Sequence, residues 1–282
     1  MRRRTLLLSG GALAASAVGV RVTGSVGGGN EDDHATALVA GSLQTVADDV
    51  AGATAEAHGS LSAVRLVRSG ARNPDAIALA DPDLVDGLAG WHATFATNAL
   101  VVVYNPDSPH ADAIRRDWRS VLAREDVSVG RTDPERDPLG YRTLLALELA
   151  GRDAPGDDAP AEDIRANADV FPETQLLRAL ETGGLDAAFA YRNMAVAHDL
   201  PRVDLPPEID LSDPRLADRY RTAEVTVGSE TVRGEPIRYG AAFLTDEGRE
   251  FYRNLTRDAE RLRKLGFTVP DSFPVEHGRQ NR

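Results

Sequence analysis

From residue 35 onward, short apolar runs alternate with segments whose apolar residues recur at helical spacing. That alternation restricts the chain to a layered α/β fold with mostly parallel sheets. The runs are Ala37–Val39, Ala76–Ala80, Ala99–Tyr104 and Leu185–Tyr191. Helical patterns cover Leu43–Ala57, Ala63–Val67, Asp83–Ala89, Pro109–Arg124, Thr143–Ala150 and Asp246–Leu265. Arg219–Val227 and Thr231–Ala242 read as two strands turning at Gly228, Pro201–Asp213 as an extended surface segment, and Ser272–Arg282 as a tail. The chain has 282 residues, enough for one large domain or two modest lobes. Leaving a first sheet near Leu100 and returning near Phe243 gives two lobes joined by two crossovers. The expected boundaries are residues 35–100 with 244–282 for one lobe and 101–243 for the other.

The turn most informative for function is Asp137-Pro138-Leu139-Gly140-Tyr141-Arg142. A carboxylate followed by proline and glycine forces the backbone to turn, and the apolar run after it starts a helix. The Asp137 side chain and free N–H groups converge there, at the end of a helix that favours anions. Asp137 could equally be only a helix cap.

Three further turns repeat the design. Gly41-Ser42-Leu43 follows the run Ala37–Val39, and Gly59-Ser60-Leu61 opens the next amphipathic segment. Each presents a serine hydroxyl at a helix start, where a plain N-cap is the bland alternative. Pro172-Glu173-Thr174 begins another helix, with proline suited to its first turn and a carboxylate that complements the dipole. Tyr191 ends the strand after Gly183-Gly184, at the edge where open α/β sheets place ligands.

Competing chemistry finds few residues. The sequence has no cysteine, hence no thiolate nucleophile, disulfide or cysteine zinc site. Its six histidines are scattered, and it holds neither G-x-S-x-G nor a P-loop nor G-x-G-x-x-G. With 44 acidic against 32 basic residues the net charge is −12, which argues against nucleic acid as a partner. Lys264 is the only lysine; an acid excess with almost no lysine suggests a halophile surface. Residues 1–34 read as an export signal and linker. Arg2, Arg3 and Arg4 precede a small apolar stretch with the look of a twin-arginine signal, and the glycine-rich run after it reads as a tether. No cysteine follows for a lipid anchor.

Together these motifs resemble the molybdate/tungstate-binding proteins of ABC transporters, in particular their archaeal branch. The resemblance is carried by Ala40–Leu43, Gly59-Ser60, Asp75–Asp81, Phe95–Asn98, Leu100–Tyr104, Asp137–Arg142, Leu180–Asp186, Ala190-Tyr191, Pro206–Ser212 and Gly234–Gly240, in order, from about Leu38 to about Phe251. It implies a two-lobed type II periplasmic binding protein fold, an extracytoplasmic location and an ABC permease as partner. It further implies an oxyanion held by Ser42, Ser60 and Tyr191, with Asp137 and Glu173 reaching the molybdenum or tungsten itself. No cofactor is implied, since the oxyanion is cargo, and a monomer is expected. Two stretches are shorter than the family's: between Ser42 and Ser60, as if a strand were trimmed, and between Asp137 and Glu173, where residues 153–160 intervene. The first leaves Ser62 as an alternative to Ser60. A receptor for sulfate, phosphate or a small organic anion stays open, as does a hydrolase using Asp137 and Glu173 as an acid–base pair.

Overall fold

The strands, in chain order, are β1 (Ala35–Ala40), β2 (Ala53–His58), β3 (Ala76–Leu79), β4 (Trp91–Thr97), β5 (Leu100–Tyr104), β6 (Val129–Thr132), β7 (Asp169–Phe171), β8 (Ala187–Tyr191), β9 (Arg202–Asp204), β10 (Glu224–Val227), β11 (Glu230–Arg233), β12 (Arg238–Phe243) and β13 (Val275–Gly278). They come from a computed structural model that describes residues 35–152 and 159–278. The expected export segment and most of the 153–160 insertion therefore lie outside the described residues.

Two sheets organise the chain. One has the order β13-β4-β12-β3-β1-β2, the other β7-β6-β8-β5-β9, and β10-β11 forms a separate hairpin. Both are mixed rather than mostly parallel. In the first, β1 pairs parallel with β2 and β3, but β12 runs antiparallel to β3 and β4. In the second, β6 is parallel to β7 and β8, while β5 is antiparallel to β8 and β9. Antiparallel pairs enter where the chain crosses between sheets: β4 ends at Thr97 and β5 begins at Leu100. The return comes earlier than Phe243, because all of Arg238–Phe243 is paired inside the first sheet.

Local readings shift in similar ways. The helix expected over Leu43–Ala57 is only Gln44–Asp48, and Gly52, at φ +94°, turns the chain into β2. Between Ser42 and Ser60 the chain thus holds one short helix and a strand of full register against β1. Trp91–Thr97 is buried along its whole length and forms a central strand that the sequence reading did not identify. The expected tail contributes β13, paired with β4. Apolar side chains of both sheets and of the helix Pro138–Arg152 make one continuous core. Against it pack the turns after β1, β2, β3 and β8.

Candidate functional site

Ser42 lies in a 3-10 turn at the end of β1 and is buried. Its Oγ lies 3.2 Å from the Tyr239 hydroxyl, and its carbonyl accepts from Asn193 Nδ2 at 2.6 Å. The preceding Gly41 N–H donates to Glu173 Oε2 at 3.0 Å. A Cβ on Gly41 would stand 2.8 Å from that same oxygen, so any larger residue there would have to displace the Glu173 side chain. Ser60 opens the helix Ser60–Arg68, has no exposure, and accepts the Ala80 N–H at 3.1 Å. Ser62 stands differently: it is half-buried and both its N–H and hydroxyl turn to the Arg136 carbonyl, so the buried position belongs to Ser60.

Asp137 precedes the helix Pro138–Arg152 and is 1% exposed. Its Oδ1 accepts the Thr132 hydroxyl at 2.9 Å and the Gly140 N–H at 3.2 Å. The capping role is therefore real, and it coexists with placement at the site: a Cβ on Gly59 would lie 2.8 Å from the Asp137 Cβ, so this carboxylate sits directly against the turn bearing Ser60. Burial pushes its pKa up to about 7, against the pull of Thr132 and of the Gly140 and Leu139 N–H groups.

Glu173 is the first residue of the helix Glu173–Glu181 and is 5% exposed. Oε2 takes the Gly41 N–H, while Oε1 is buried with no hydrogen-bond partner among the described residues. Burial first, and the neighbouring charge of Asp137 second, hold Glu173 well above the ordinary carboxylate range; the Ser42 hydroxyl and the N–H groups of Gly41 and Ser42 oppose them. Tyr191 ends β8, is fully buried, and its hydroxyl accepts from Arg142 Nη1 at 2.8 Å.

All five residues are buried and linked through one or two intermediaries. Ser60 reaches Tyr191 through Ala80, whose N–H it accepts and whose carbonyl takes Arg142 Nη1 at 2.6 Å. Ser42 reaches Tyr191 through Tyr239, whose ring centroid lies 6.1 Å from that of Tyr191. A groove of about 700 Å³ lined by His58, Gly59, Ser62, Asp137, Pro172 and Glu173 opens on one side. A second, of about 400 Å³, opens at Gly41, Ser42, Thr45 and Glu173. Neither is lined by Ser60 or Tyr191.

Arg142, Tyr239, Asn98 and Asn193 were not singled out as site residues from sequence. Three of them lie inside motifs that carried the resemblance, so their positions were visible there; their roles were not. Arg142 is 5% exposed and always charged, and it is the cation nearest the cluster's hydroxyls. Among the described residues no group of three or more His, Asp or Glu could hold a metal ion. Asp137 and Glu173 alone offer a bare cation too few ligands. They suit a centre that brings its own oxygens.

The family model for bacterial extracellular solute-binding proteins matches residues 42–267. The chain belongs to that family. It is accordingly a binding protein, and the acid–base hydrolase reading of Asp137 and Glu173 falls away. A Haloferax volcanii protein named as an ABC transporter molybdenum-binding protein is 43% identical, covering 98% of this chain and 94% of its own length. The molybdate/tungstate-binding protein WtpA of Thermococcus kodakarensis is 35% identical over 68% of this chain and 63% of its own. Among solved structures, the periplasmic molybdate-binding protein of Azotobacter vinelandii superposes with a TM-score of 0.58 at 15% identity, over 84% of this chain and 100% of that one. That likeness carries the fold: α/β, with two mixed sheets in the periplasmic-binding-protein arrangement.

Proposed function

We propose that this solute-binding protein captures molybdate or tungstate outside the cytoplasmic membrane and delivers it to the transmembrane subunits of an ABC importer. The observation that carries the reading is the pair of buried carboxylates, Asp137 and Glu173. They couple electrostatically and accept hydrogen bonds only from hydroxyl and N–H groups, and they sit beside three buried hydroxyls. Two carboxylates repel an ordinary anion and are costly to bury unpaired. A large, hard, high-valent centre changes that balance, because carboxylate oxygens raise its coordination from four toward six. Ser42, Ser60 and Tyr191 would hold the oxo groups, while Asp137 and Glu173 approach the metal. Sulfur in sulfate cannot expand in this way, so the same carboxylates exclude it. The names of the Haloferax and Thermococcus relatives support the ligand class and, for the former, the transporter. No helix among the described residues is long and apolar enough to cross a membrane. Export by the twin-arginine segment, followed by action as a monomer, completes the proposal.

Calorimetric titration of the purified mature chain tests it. Tungstate should bind at least ~100-fold more tightly than sulfate, a difference of roughly 2.7 kcal/mol. Equal affinities would leave a receptor for anions in general and remove the six-coordinate site.

A further inference from the structure

The hydrogen bonds around Ser42 have a direction that two backbone groups impose. The Ala99 N–H can only donate, and it donates to Asn98 Oδ1 at 2.9 Å. Asn98 Nδ2 must therefore face the other way, and it donates to Asn193 Oδ1 at 2.7 Å and to the Tyr239 hydroxyl at 3.2 Å. At the far end the Ser42 carbonyl can only accept, and it takes Asn193 Nδ2 at 2.6 Å. The two amide orientations thus agree from both ends. Tyr239, having received a hydrogen from Asn98, gives its own to Ser42 Oγ at 3.2 Å. Ser42 keeps its own hydroxyl hydrogen to donate, and it faces the Glu173 carboxylate.

The other two hydroxyls are set in the same sense by groups that cannot accept. The Ala80 N–H occupies Ser60 Oγ, and the Arg142 guanidinium occupies the Tyr191 oxygen. Asn98, Asn193, Tyr239, Ser42, Ser60, Arg142 and Tyr191 are all buried, so water does not compete freely for these positions. Three hydroxyls of one cluster consequently accept from the protein and keep their own hydrogens to donate.

We infer that Tyr239, acting through Ser42, and Arg142, acting through Tyr191, are positioning residues that turn the site's hydroxyls into fixed donors for unprotonated oxygens of the bound anion. This rests on the oxyanion reading above and adds the source of its hydrogen-bond polarity. Asn98 stands between β4 and β5, where the chain crosses from one sheet to the other, and Asn193 begins on the far side, just after β8. The relay to Ser42 is therefore assembled from both halves of the fold.

A double-mutant cycle read by tungstate titration tests the inference. Tyr239→Phe keeps the ring and its packing and removes only the hydroxyl. It should weaken tungstate binding by about fivefold or more in the wild-type background, the loss of one oriented donor to a charged group. In a Ser42→Ala background the same change should alter affinity by less than about twofold, because its only route to the anion is gone. A merely structural role would give equal losses in both backgrounds, and that result, or no loss in either, overturns the inference while tungstate binding by the wild-type chain leaves the functional reading standing. Failure of the wild-type chain to bind tungstate would remove both. Should Tyr239→Phe not fold, Asn98→Ala, one step earlier in the relay, is read against Ser42→Ala with the same two expectations.

Discussion

Around Ser42, Ser60 and Tyr191 every hydroxyl oxygen meets a neighbouring polar group of the protein, whereas at Asp137 and Glu173, a few residues away in space, one buried carboxylate oxygen meets none among the described residues. In the first region each hydroxyl oxygen already accepts from the protein, and its own hydrogen is left to donate. Its polar groups are ordered by backbone donors, an arginine and a tyrosine, and satisfied polar networks of this kind rigidify what they touch. The second region holds two neighbouring carboxyl groups out of water with hydroxyl and N–H partners only, and burial raises the pKa of both. Native proteins rarely leave buried polar atoms without partners, so an orphaned Glu173 Oε1 points to something that completes it when bound. The contrast separates hydroxyls whose direction the protein sets from carboxyl groups with few partners of their own.

Substitutions on the carboxylate side should break this contrast most strongly. Asp137→Asn and Glu173→Gln are expected to weaken tungstate by ~30-fold or more, about 2 kcal/mol, while sulfate binds equally or better because repulsion is gone. Glu173→Gln should also raise the melting temperature of the ligand-free protein, since it removes a buried charge that lacks a partner. Wild-type tungstate affinity in both variants, by competition titration, would detach these carboxylates from the ligand.

The hydroxyl side should respond in the opposite way. Ser60→Ala leaves the buried Ala80 N–H without its acceptor. It should therefore cost about 1–3 kcal/mol of stability and weaken every anion by about fivefold, with no change in the ratio of tungstate to sulfate. Thermal unfolding together with the two titrations reads both effects. A Ser60→Ala variant that changed selectivity would show that the two regions are not separate in role.

A further expected effect is on the pH dependence of the empty protein. Asp137 has a folded-state pKa raised from 3.8 to about 7 by burial. A raised carboxylate contributes stability that is fully present below its unfolded value and lost as pH rises through the folded one. The ligand-free melting temperature should therefore decline from about pH 4 to about pH 8, and Asp137→Asn should flatten the decline. A curve that rises over this range would contradict the burial of an unpaired carboxylate there.

Much of this molecule was legible in the sequence because local chemistry decided it. Proline and glycine after Asp137 dictate a turn and a helix start wherever that segment is placed, and Pro172 does the same before Glu173. Glycine beside Ser42 and Ser60 marks close approach, and the apolar run ending at Tyr191 marks a strand end. What escaped depended on partners remote in the chain. Ala53–His58 becomes a strand because β1 is there to pair with it, and its alanines suit a helix equally well in isolation. Antiparallel pairing of β12 with β3 and β4 needs residues more than a hundred apart to meet. The same holds for the direction of each hydroxyl: Tyr239, Asn98 and Arg142 are plain polar residues in sequence, and only the folded arrangement makes Asn98 a donor to Tyr239, Tyr239 a donor to Ser42 and Arg142 a donor to Tyr191. Turns and helix starts are short-range consequences of backbone sterics, whereas sheet order and hydrogen-bond polarity are set by which distant groups the fold brings within reach.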